Sequence, residues 1–246
     1  MKNKLYTAIG LMSGTSMDGV DVSLIKSDGF NQFINILDEY FEYSKSLQQQ
    51  LIELRNLILS IDDLELYAPR LKDLERAITV FHTEIVSKIS LDYKDEIDFV
   101  GFHGQTIFHN PNQKKSYQLG NGRLLSQLLT VDVVYNFRSN DLKFGGEGAP
   151  IAPIYHQTIL KNLKLELPAI IVNIGGITNL TYWDGNKIYG FDTGPGNNLM
   201  DYFMQKTFNL GFDNQGSLAS KGKIHSDLID QFIKDFYFSK SPPKSL

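Results

Sequence analysis

The stretch from Gly10 to Ile25, GLMSGTSMDGVDVSLI, constrains the fold more than any other part of the sequence. Two apolar runs flank a polar segment, Ser13–Gly19, and the second run alternates apolar and polar residues with the period of a half-buried strand. This order predicts a β-hairpin. Gly14 and Gly19 lack a Cβ, so the backbone at the tip can adopt positive φ and bring its N–H groups close to an anion. An ordinary hairpin turn has a similar composition for local reasons, so both interpretations stay open here.

Two carboxylates lie in or beside the same turn. Asp18 belongs to the polar segment, and Asp21 follows in the alternating run. Mg²⁺ is often bound beside a polyphosphate through one or two carboxylates. Ser13, Thr15 and Ser16 add hydroxyl donors. If the hairpin binds an anion, we therefore expect a phosphate chain and Mg²⁺ at its tip.

The composition argues against several classes of function. The chain carries 24 Lys and Arg against 28 Asp and Glu, a net charge of −4, and no basic cluster that would indicate nucleic acid or an anionic membrane surface. The lack of cysteine excludes disulfides, thiolate metal sites and a cysteine nucleophile. No stretch approaches the roughly 20 apolar residues that span a bilayer. We expect a cytoplasmic protein, and 246 residues suit two modest domains or one large one.

Periodicity predicts the elements that follow the hairpin. Phe33–Tyr43 is expected to be a third strand, antiparallel to the second. Apolar residues at helical spacing predict amphipathic helices over Leu47–Leu59 and Leu71–Ile89. His82 is placed off the apolar stripe of the second helix, which predicts a surface histidine.

A polar cluster follows the next short apolar run. Ile97–Phe102 is expected to be a buried strand that ends directly before His103, Gln105 and Thr106. Open α/β sheets place their ligands at the carboxyl ends of strands. These three side chains suit hydrogen bonds to a hydroxyl-rich or amide-bearing ligand.

The segment from Asn136 to Pro150 is polar, rich in glycine and too long for a simple turn. It brings Arg138, Asp141 and Lys143 close together, beside three glycines that would let the backbone fold tightly. A ligand site and a mobile surface loop are both consistent with this composition.

The strand, glycine turn, strand order occurs a second time. Ala169–Ile174 is a strongly apolar strand that ends in Gly175 and Gly176, and a hairpin is expected over residues 179–191. Asp192 and Gly194 then precede a helix that we expect to open near Pro195, where N–H groups attract anionic or hydroxyl groups. A last amphipathic helix is expected over residues 224–236.

Two such hairpins, each expected to begin a mixed sheet, predict a duplicated α/β architecture with subdomains at residues 1–130 and 131–246. Actin/hexokinase-like (ribonuclease H-like) ATPases are built this way and grip a nucleotide between the two units. Phosphoryl transfer requires donors around the phosphates, a metal ion and a group that positions the nucleophile. Residues 14–21 and 174–179 could supply the donors, Asp18 or Asp21 the metal ligand, and Asp141 the positioning group.

Five blocks of the chain resemble the anhydro-N-acetylmuramic acid kinase family, in the family's order and over nearly the whole chain. They are GLMSGTSMDGVDVSLI, GFHGQTIFHNP, FRSNDLKFGGEGAPIAP, VNIGGITNLT and GFDTGPGNNLMD. The resemblance implies an enzyme that uses ATP and water to open the 1,6-anhydro ring of the sugar and to phosphorylate O6. The products are N-acetylmuramic acid 6-phosphate and ADP, formed in cell-wall recycling.

The resemblance also implies a role for each matching residue. Asp141 matches the family's catalytic base, and Asp18 and Asp21 would approach Mg²⁺. The expected sugar contacts are His103, Gln105, Thr106, Arg138, Asp192 and Gly194. The expected ATP contacts are Gly14, Thr15, Ser16, Met17, Asp18, Gly19, Val20, Asp21, Gly175 and Gly176.

The chain departs from the family pattern in two places and at its end. Tyr135 and Asn136 stand where the family has Gly-Asp, and Asn121 stands where it has an aspartate. The family continues after Pro-Lys-Ser, whereas here only Leu246 follows Ser245. We therefore expect a C-terminally truncated chain with an incomplete second domain. The alternatives are a catalytically silent remnant that keeps only sugar or phosphate binding, and a half completed by a separately encoded C-terminal piece; a homodimer is a further expectation.

Overall fold

The computed structural model describes residues 4–30 and 32–246 and divides into two compact units, Met1–Gly148 and Ala149–Leu246. Within the described residues, the first unit holds a six-stranded sheet of order β3-β2-β1-β4-β5, with β6 also paired to β4. These strands are β1 (Tyr6–Ser13), β2 (Gly19–Ser27), β3 (Phe33–Glu42), β4 (Phe99–Asn110), β5 (Lys115–Leu119) and β6 (Asp132–Tyr135). None of the helices in the described part of the chain is long and apolar enough to cross a membrane.

The sheet of the first unit is mixed. β1, β2 and β3 form an antiparallel meander, whereas β4 runs parallel to β1 and β6 runs parallel to β4. The helices of this unit are α1 (Lys45–Leu57), α2 (Ile61–Leu66), α3 (Ala68–Asp92), α4 (Gly122–Leu129) and α5 (Phe137–Lys143). The predicted hairpin, third strand and two amphipathic helices are confirmed. Because β6 and α5 belong to the first compact unit, the observed division lies 18 residues after the predicted subdomain boundary at residue 130.

The prediction for His82 is wrong. The side chain of His82 is 0 % exposed and lies on the buried face of α3 with Ile78, Ile85 and Ile89. The positions 78, 82, 85 and 89 follow the i, i+4, i+7 spacing of a core-facing helix. The histidine therefore occupies the stripe itself, and its polar nitrogens need partners inside the protein.

Two predicted boundaries in the first unit are also wrong. β4 continues through His103, Gln105 and Thr106 instead of ending before them, because β5 pairs antiparallel with residues 105–110. The segment expected to be an irregular loop from Asn136 begins with helix α5, which Leu142 anchors through its buried side chain. The polar cluster therefore lies within a strand, and the charged residues of the segment lie on a helix.

The second unit holds an antiparallel sheet among its described strands, β7 (Ala169–Ile174), β8 (Ile177–Trp183) and β9 (Ile188–Pro195). The expectation of a mixed sheet here is wrong, because both strand pairs are antiparallel. The helices of this unit are α6 (Pro153–Leu163), α7 (Asn198–Phe208), α8 (Ser226–Phe232) and α9 (Phe236–Ser239).

Two predicted helix boundaries of the second unit are corrected. Asp192 and Gly194 belong to β9, which pairs with β8 up to Pro195, so that they do not open α7. The predicted final helix is two short helices, because Asp235 accepts a hydrogen bond from the N–H of Tyr237 and caps a new helix there. The predicted hairpin turn is confirmed: Asp184 Oδ1 accepts hydrogen bonds from the next turn residues.

We predict that Gly19→Ala destabilises the hairpin. A Cβ at Gly19 would lie 2.3 Å from the Phe41 carbonyl oxygen and 2.7 Å from the Tyr40 ring, so β3 would have to move. Overpacking of this kind costs about 1–3 kcal/mol of stability. The matched control is Gly10→Ala in the same hairpin, where the nearest atom to a Cβ is 3.9 Å away. Equal urea midpoints for the two variants would contradict the prediction.

Candidate functional site

The polar hairpin loop between β1 and β2 is anchored in the core by a buried methionine. The side chain of Met17 is 1 % exposed, and its N–H donates to the carbonyl of Gly14 at 3.3 Å. The expectation that glycine supplies the positive φ is wrong, because the left-handed residue is Met17 (φ 56°) and neither Gly14 nor Gly19 has positive φ. Gly19 is required instead for close approach to β3. A buried methionine thus holds the loop in a turn that an L-residue rarely adopts.

Two carbonyl groups of this loop are held by neighbouring strands. Gln105 Nε2 in β4 donates to the Gly14 carbonyl at 2.8 Å, and the N–H of Tyr43 donates to the Asp18 carbonyl at 2.8 Å. Within residues 4–30 and 32–246, the N–H groups of Thr15 and Ser16 donate to no protein acceptor. The loop therefore directs carbonyls inward and keeps two backbone donors for another group.

Three acidic or phenolic groups surround the exposed side of the loop. The exposed Asp18 accepts a hydrogen bond from Ser16 Oγ at 2.5 Å. Partial burial, followed by the negative charge of Asp18, raises the pKa of Asp21. Partial burial and the same carboxylate raise the pKa of Tyr40 to about 12. A cation would relieve the repulsion between the Asp18 and Asp21 carboxylates. Their oxygens are suitable ligands for an Mg²⁺ ion that is also bound by phosphate oxygens. Within the described residues, no group of three or more His, Cys, Asp or Glu ligands forms.

A second array joins β4 to α5. His103 is 7 % exposed; its Nδ1 lies 2.6 Å from the Gly104 carbonyl, so this nitrogen carries the hydrogen. Its Nε2 accepts from Arg138 Nε at 2.9 Å. Burial, followed by the charge of Arg138, lowers the pKa of His103 to about 4. The neutral imidazole therefore aligns the guanidinium at neutral pH.

The same guanidinium reaches the residue that orients Asp141. Arg138 Nη1 donates to the Gly148 carbonyl at 2.8 Å, and the N–H of Gly148 donates to Asp141 Oδ2 at 2.7 Å. The Asp141 side chain is exposed. His103, Arg138, Gly148 and Asp141 thus form one connected array, with an oriented carboxylate at its solvent-facing end.

The other residues of the first unit that we predicted to contact the sugar differ in their solvent exposure. Gln105 is 0 % exposed and serves the hairpin loop, and its Oε1 has no hydrogen-bond partner among the described residues. Thr106 is half-buried and accepts from Gln118 Nε2 at 3.4 Å. The structure therefore brings His103, Arg138 and Asp141 together and places Gln105 beneath the hairpin.

In the second unit, the predicted glycine turn packs against the start of α7. The carbonyls of Gly175 and Gly176 accept from the N–H groups of Asn197 and Gly196, both at 2.9 Å. A Cβ at Gly196 would lie 2.0 Å from the Gly175 carbonyl oxygen, so only glycine fits this approach. The turn after β7 is thus tied to the helix that follows β9.

Asp192 is a buried carboxylate, 4 % exposed, that binds the end of the described chain. Its Oδ2 accepts from Ser245 Oγ at 2.9 Å and from the Leu246 N–H at 3.0 Å. Next to it, a Cβ at Gly194 would lie 3.0 Å from the Phe238 ring. Sequence reasoning missed the contact between Asp192 and Ser245, because their separation of 53 residues leaves no local pattern.

Sequence reasoning also missed the polar partners beneath the hairpin. Ser13 Oγ lies 2.8 Å from Tyr43 Oη and 3.4 Å from His82 Nε2, and all three residues are buried. The position of His82 within the helical stripe of α3 was the available signal, since a histidine there needs a buried partner.

Fold and site together define a mixed α/β protein that has a core-anchored hairpin loop and, on helix α5, an arginine and an oriented carboxylate. The chain belongs to the anhydro-N-acetylmuramic acid kinase family, because the model of that family matches residues 6–246.

Curated relatives agree with this assignment. An anhydro-N-acetylmuramic acid kinase of Pelagibacter ubique is 46% identical over 95% of this chain and 63% of its own length. Proteins of the same name from Bradyrhizobium diazoefficiens (38% identical over 98% of the chain) and Agrobacterium fabrum (37% over 99%) are matched over 67% of their lengths. The chain thus spans about two thirds of the length of these relatives.

Proposed function

We propose that this chain transfers the γ-phosphoryl group of ATP to 1,6-anhydro-N-acetylmuramic acid while water opens the anhydro ring. The products are N-acetylmuramic acid 6-phosphate and ADP. The family assignment and the names of the relatives support this reaction. The observation that carries the proposal is the core-anchored hairpin loop, whose Thr15 and Ser16 N–H groups donate to no acceptor within the described residues.

We propose that the hairpin loop binds the phosphate chain of ATP. Donors with a fixed direction stabilise the charge of a transferring phosphoryl group without reorganising. The side chains of Asp18 and Asp21 would hold Mg²⁺, which neutralises phosphate charge when bound. In the second unit, Gly175 and Gly176 remain proposed ATP contacts, and Asp192 and Gly194 remain proposed sugar contacts, on the resemblance of their segments to the family.

We propose Asp141 as the base of the reaction. Its carboxylate takes a proton from the water that attacks the anomeric carbon. The bond between that carbon and O6 breaks, O6 bonds to the γ-phosphorus, and the bridging oxygen leaves with ADP. An ionised aspartate is a weak base, so position decides its contribution. The hydrogen bond from Gly148 to Asp141 Oδ2 supports such an orientation.

A duplicated, actin/hexokinase-like fold and a cytoplasmic location remain part of the proposal. The three-stranded antiparallel meander of β7, β8 and β9 resembles that of β1, β2 and β3, which supports duplication.

The proposed reaction is tested with purified chain, ATP, Mg²⁺ and the anhydro sugar. We expect ADP release that depends on the anhydro sugar, and we expect mass spectrometry to detect N-acetylmuramic acid 6-phosphate. N-acetylmuramic acid, which lacks the 1,6-anhydro bridge, is the matched control and should release no more ADP than the sugar-free reaction. Calorimetric binding of the anhydro sugar without turnover would contradict the kinase proposal and favour the silent remnant.

A further inference from the structure

A group of buried, hydrogen-bonded polar side chains lies beneath the hairpin loop. His82 in α3 is 0 % exposed, Ser13 at the end of β1 is 1 % exposed, and Tyr43 after β3 is 6 % exposed. Ser13 Oγ lies 3.4 Å from His82 Nε2 and 2.8 Å from Tyr43 Oη. Side chains from β1, α3 and the segment after β3 therefore meet at one hydroxyl group.

The directions of these hydrogen bonds follow from the backbone. His82 Nδ1 lies 2.7 Å from the Ile78 carbonyl, which can only accept, so Nδ1 carries the hydrogen and Nε2 is an acceptor. The Ser13 hydroxyl therefore donates to Nε2, and the Tyr43 hydroxyl donates to Ser13 Oγ. Burial lowers the pKa of His82 to about 4, which keeps Nε2 an acceptor at neutral pH.

Packing alone does not account for a histidine at this position. Its ring contacts Phe102 edge-on at a centroid distance of 4.9 Å. Three of its four buried neighbours one turn away on α3 are aliphatic, and the fourth is a threonine: Ile78, Ile85, Val86 and Thr79. An apolar side chain would fill such a place without the cost of burying polar nitrogens. The hydrogen bond to Ser13 is what the imidazole adds.

Both ends of the hairpin loop are attached to this group of hydrogen-bonded side chains. Ser13 is the last residue of β1 before the loop, and the N–H of Tyr43 donates to the carbonyl of Asp18 at the other end. Thr15 and Ser16, whose N–H groups we propose as phosphate donors, lie between these two attachments.

We propose that His82 is a positioning residue for the ATP phosphates, acting through Ser13 to hold the hairpin loop in its binding conformation. The inference rests on the proposed function, since it assigns His82 to the same phosphate site. His82 itself touches neither ATP nor sugar in this account. Its loss should therefore weaken ATP binding and leave the KM for the sugar unchanged.

The test compares four variants of the full chain: His82→Phe, Ser13→Ala, the double variant, and His82→Gln. Phenylalanine keeps the ring packing and removes the acceptor, whereas glutamine can return an acceptor near Ser13. We expect His82→Phe and Ser13→Ala each to weaken Mg-ATP binding about tenfold, within the coupling range of directly contacting residues. The double variant should be no weaker than either single variant, and His82→Gln should recover most of the affinity.

Thr79→Val is the matched control. Thr79 is 0 % exposed on the same helix, and its hydroxyl bonds the Glu75 carbonyl and the Asn121 N–H, away from the hairpin. This variant should lower the melting temperature without changing the dissociation constant for Mg-ATP. If His82→Phe does not fold, Ser13→Ala carries the comparison alone.

Three results would overturn the inference, and they can be told apart. Mg-ATP binding by the wild-type chain that is unchanged in Ser13→Ala and His82→Phe would refute the positioning role alone. Multiplicative losses in the double variant would refute the coupling between the two residues. Absence of Mg-ATP binding by the wild-type chain would refute the proposed function, and the positioning role with it.

Discussion

Asp141→Asn should lower kcat for phosphorylation of the anhydro sugar by roughly 10²- to 10⁴-fold, the usual contribution of a positioned general base. Asparagine keeps an oxygen that can accept the hydrogen bond from Gly148, now 2.7 Å from Asp141 Oδ2, but has no carboxylate to take a proton. The side chain is exposed, so the melting temperature should change little. The KM for ATP should also stay close to that of the wild-type chain.

Two further variants make this prediction specific. Asp73→Asn, at an exposed position of α3, is the matched control and should keep full activity. Asp192→Asn tests a second carboxylate of the family-like segments, one that is buried and bonded to Ser245. Full activity in Asp141→Asn would refute the role of Asp141. If Asp192→Asn were at the same time inactive but folded, the base would be assigned to β9.

The free energy of unfolding should fall as the pH is lowered from about 6.5 towards 4. His82 and His103 each have a pKa of about 4 in the folded protein, whereas an unfolded histidine titrates near 6.5. In this window the unfolded chain binds more protons, so protonation favours unfolding. The full shift corresponds to about 3 kcal/mol for one histidine. Burial is the main cause in both residues.

Urea titrations at pH 7 and pH 4.5 measure this effect. His103→Gln should have a smaller loss of stability between the two pH values than the wild-type chain. His225→Gln, at an exposed position, is the control and should keep the wild-type pH dependence. The carboxylates whose pKa values lie below the usual range, such as Asp98 and Asp213, lose their contribution only at still lower pH. Equal stability of the wild-type chain at both pH values would contradict the prediction.

Local patterns predicted the elements whose contacts are local or periodic. The β1–β2 hairpin followed from alternation around a glycine-containing turn, and α3 followed from an apolar stripe that the structure buries. The extension of β4 through Gln105 was missed, since it depends on pairing with β5 rather than on the residues of β4. The end of β9 at Pro195 was missed for the same reason, because its partner strand β8 sets it.

The chemistry of the candidate site was predictable by residue type and not by contact. The cluster of Arg138 and Asp141 was visible in the sequence, but its connection through His103 and Gly148 needed the fold. Ser13 and His82 are 69 residues apart, so no spacing rule could join them. Side chains that hold a loop from beneath are long-range contacts of the core, which local periodicity does not record.

Amide hydrogen exchange of the hairpin loop, with and without saturating Mg-ATP, tests most directly whether the loop binds the phosphate chain. We predict that Mg-ATP slows exchange of the Thr15 and Ser16 amides and leaves the turn at Asp184–Lys187 unchanged. Exchange at Thr15 and Ser16 that is equally fast with and without Mg-ATP would contradict the account.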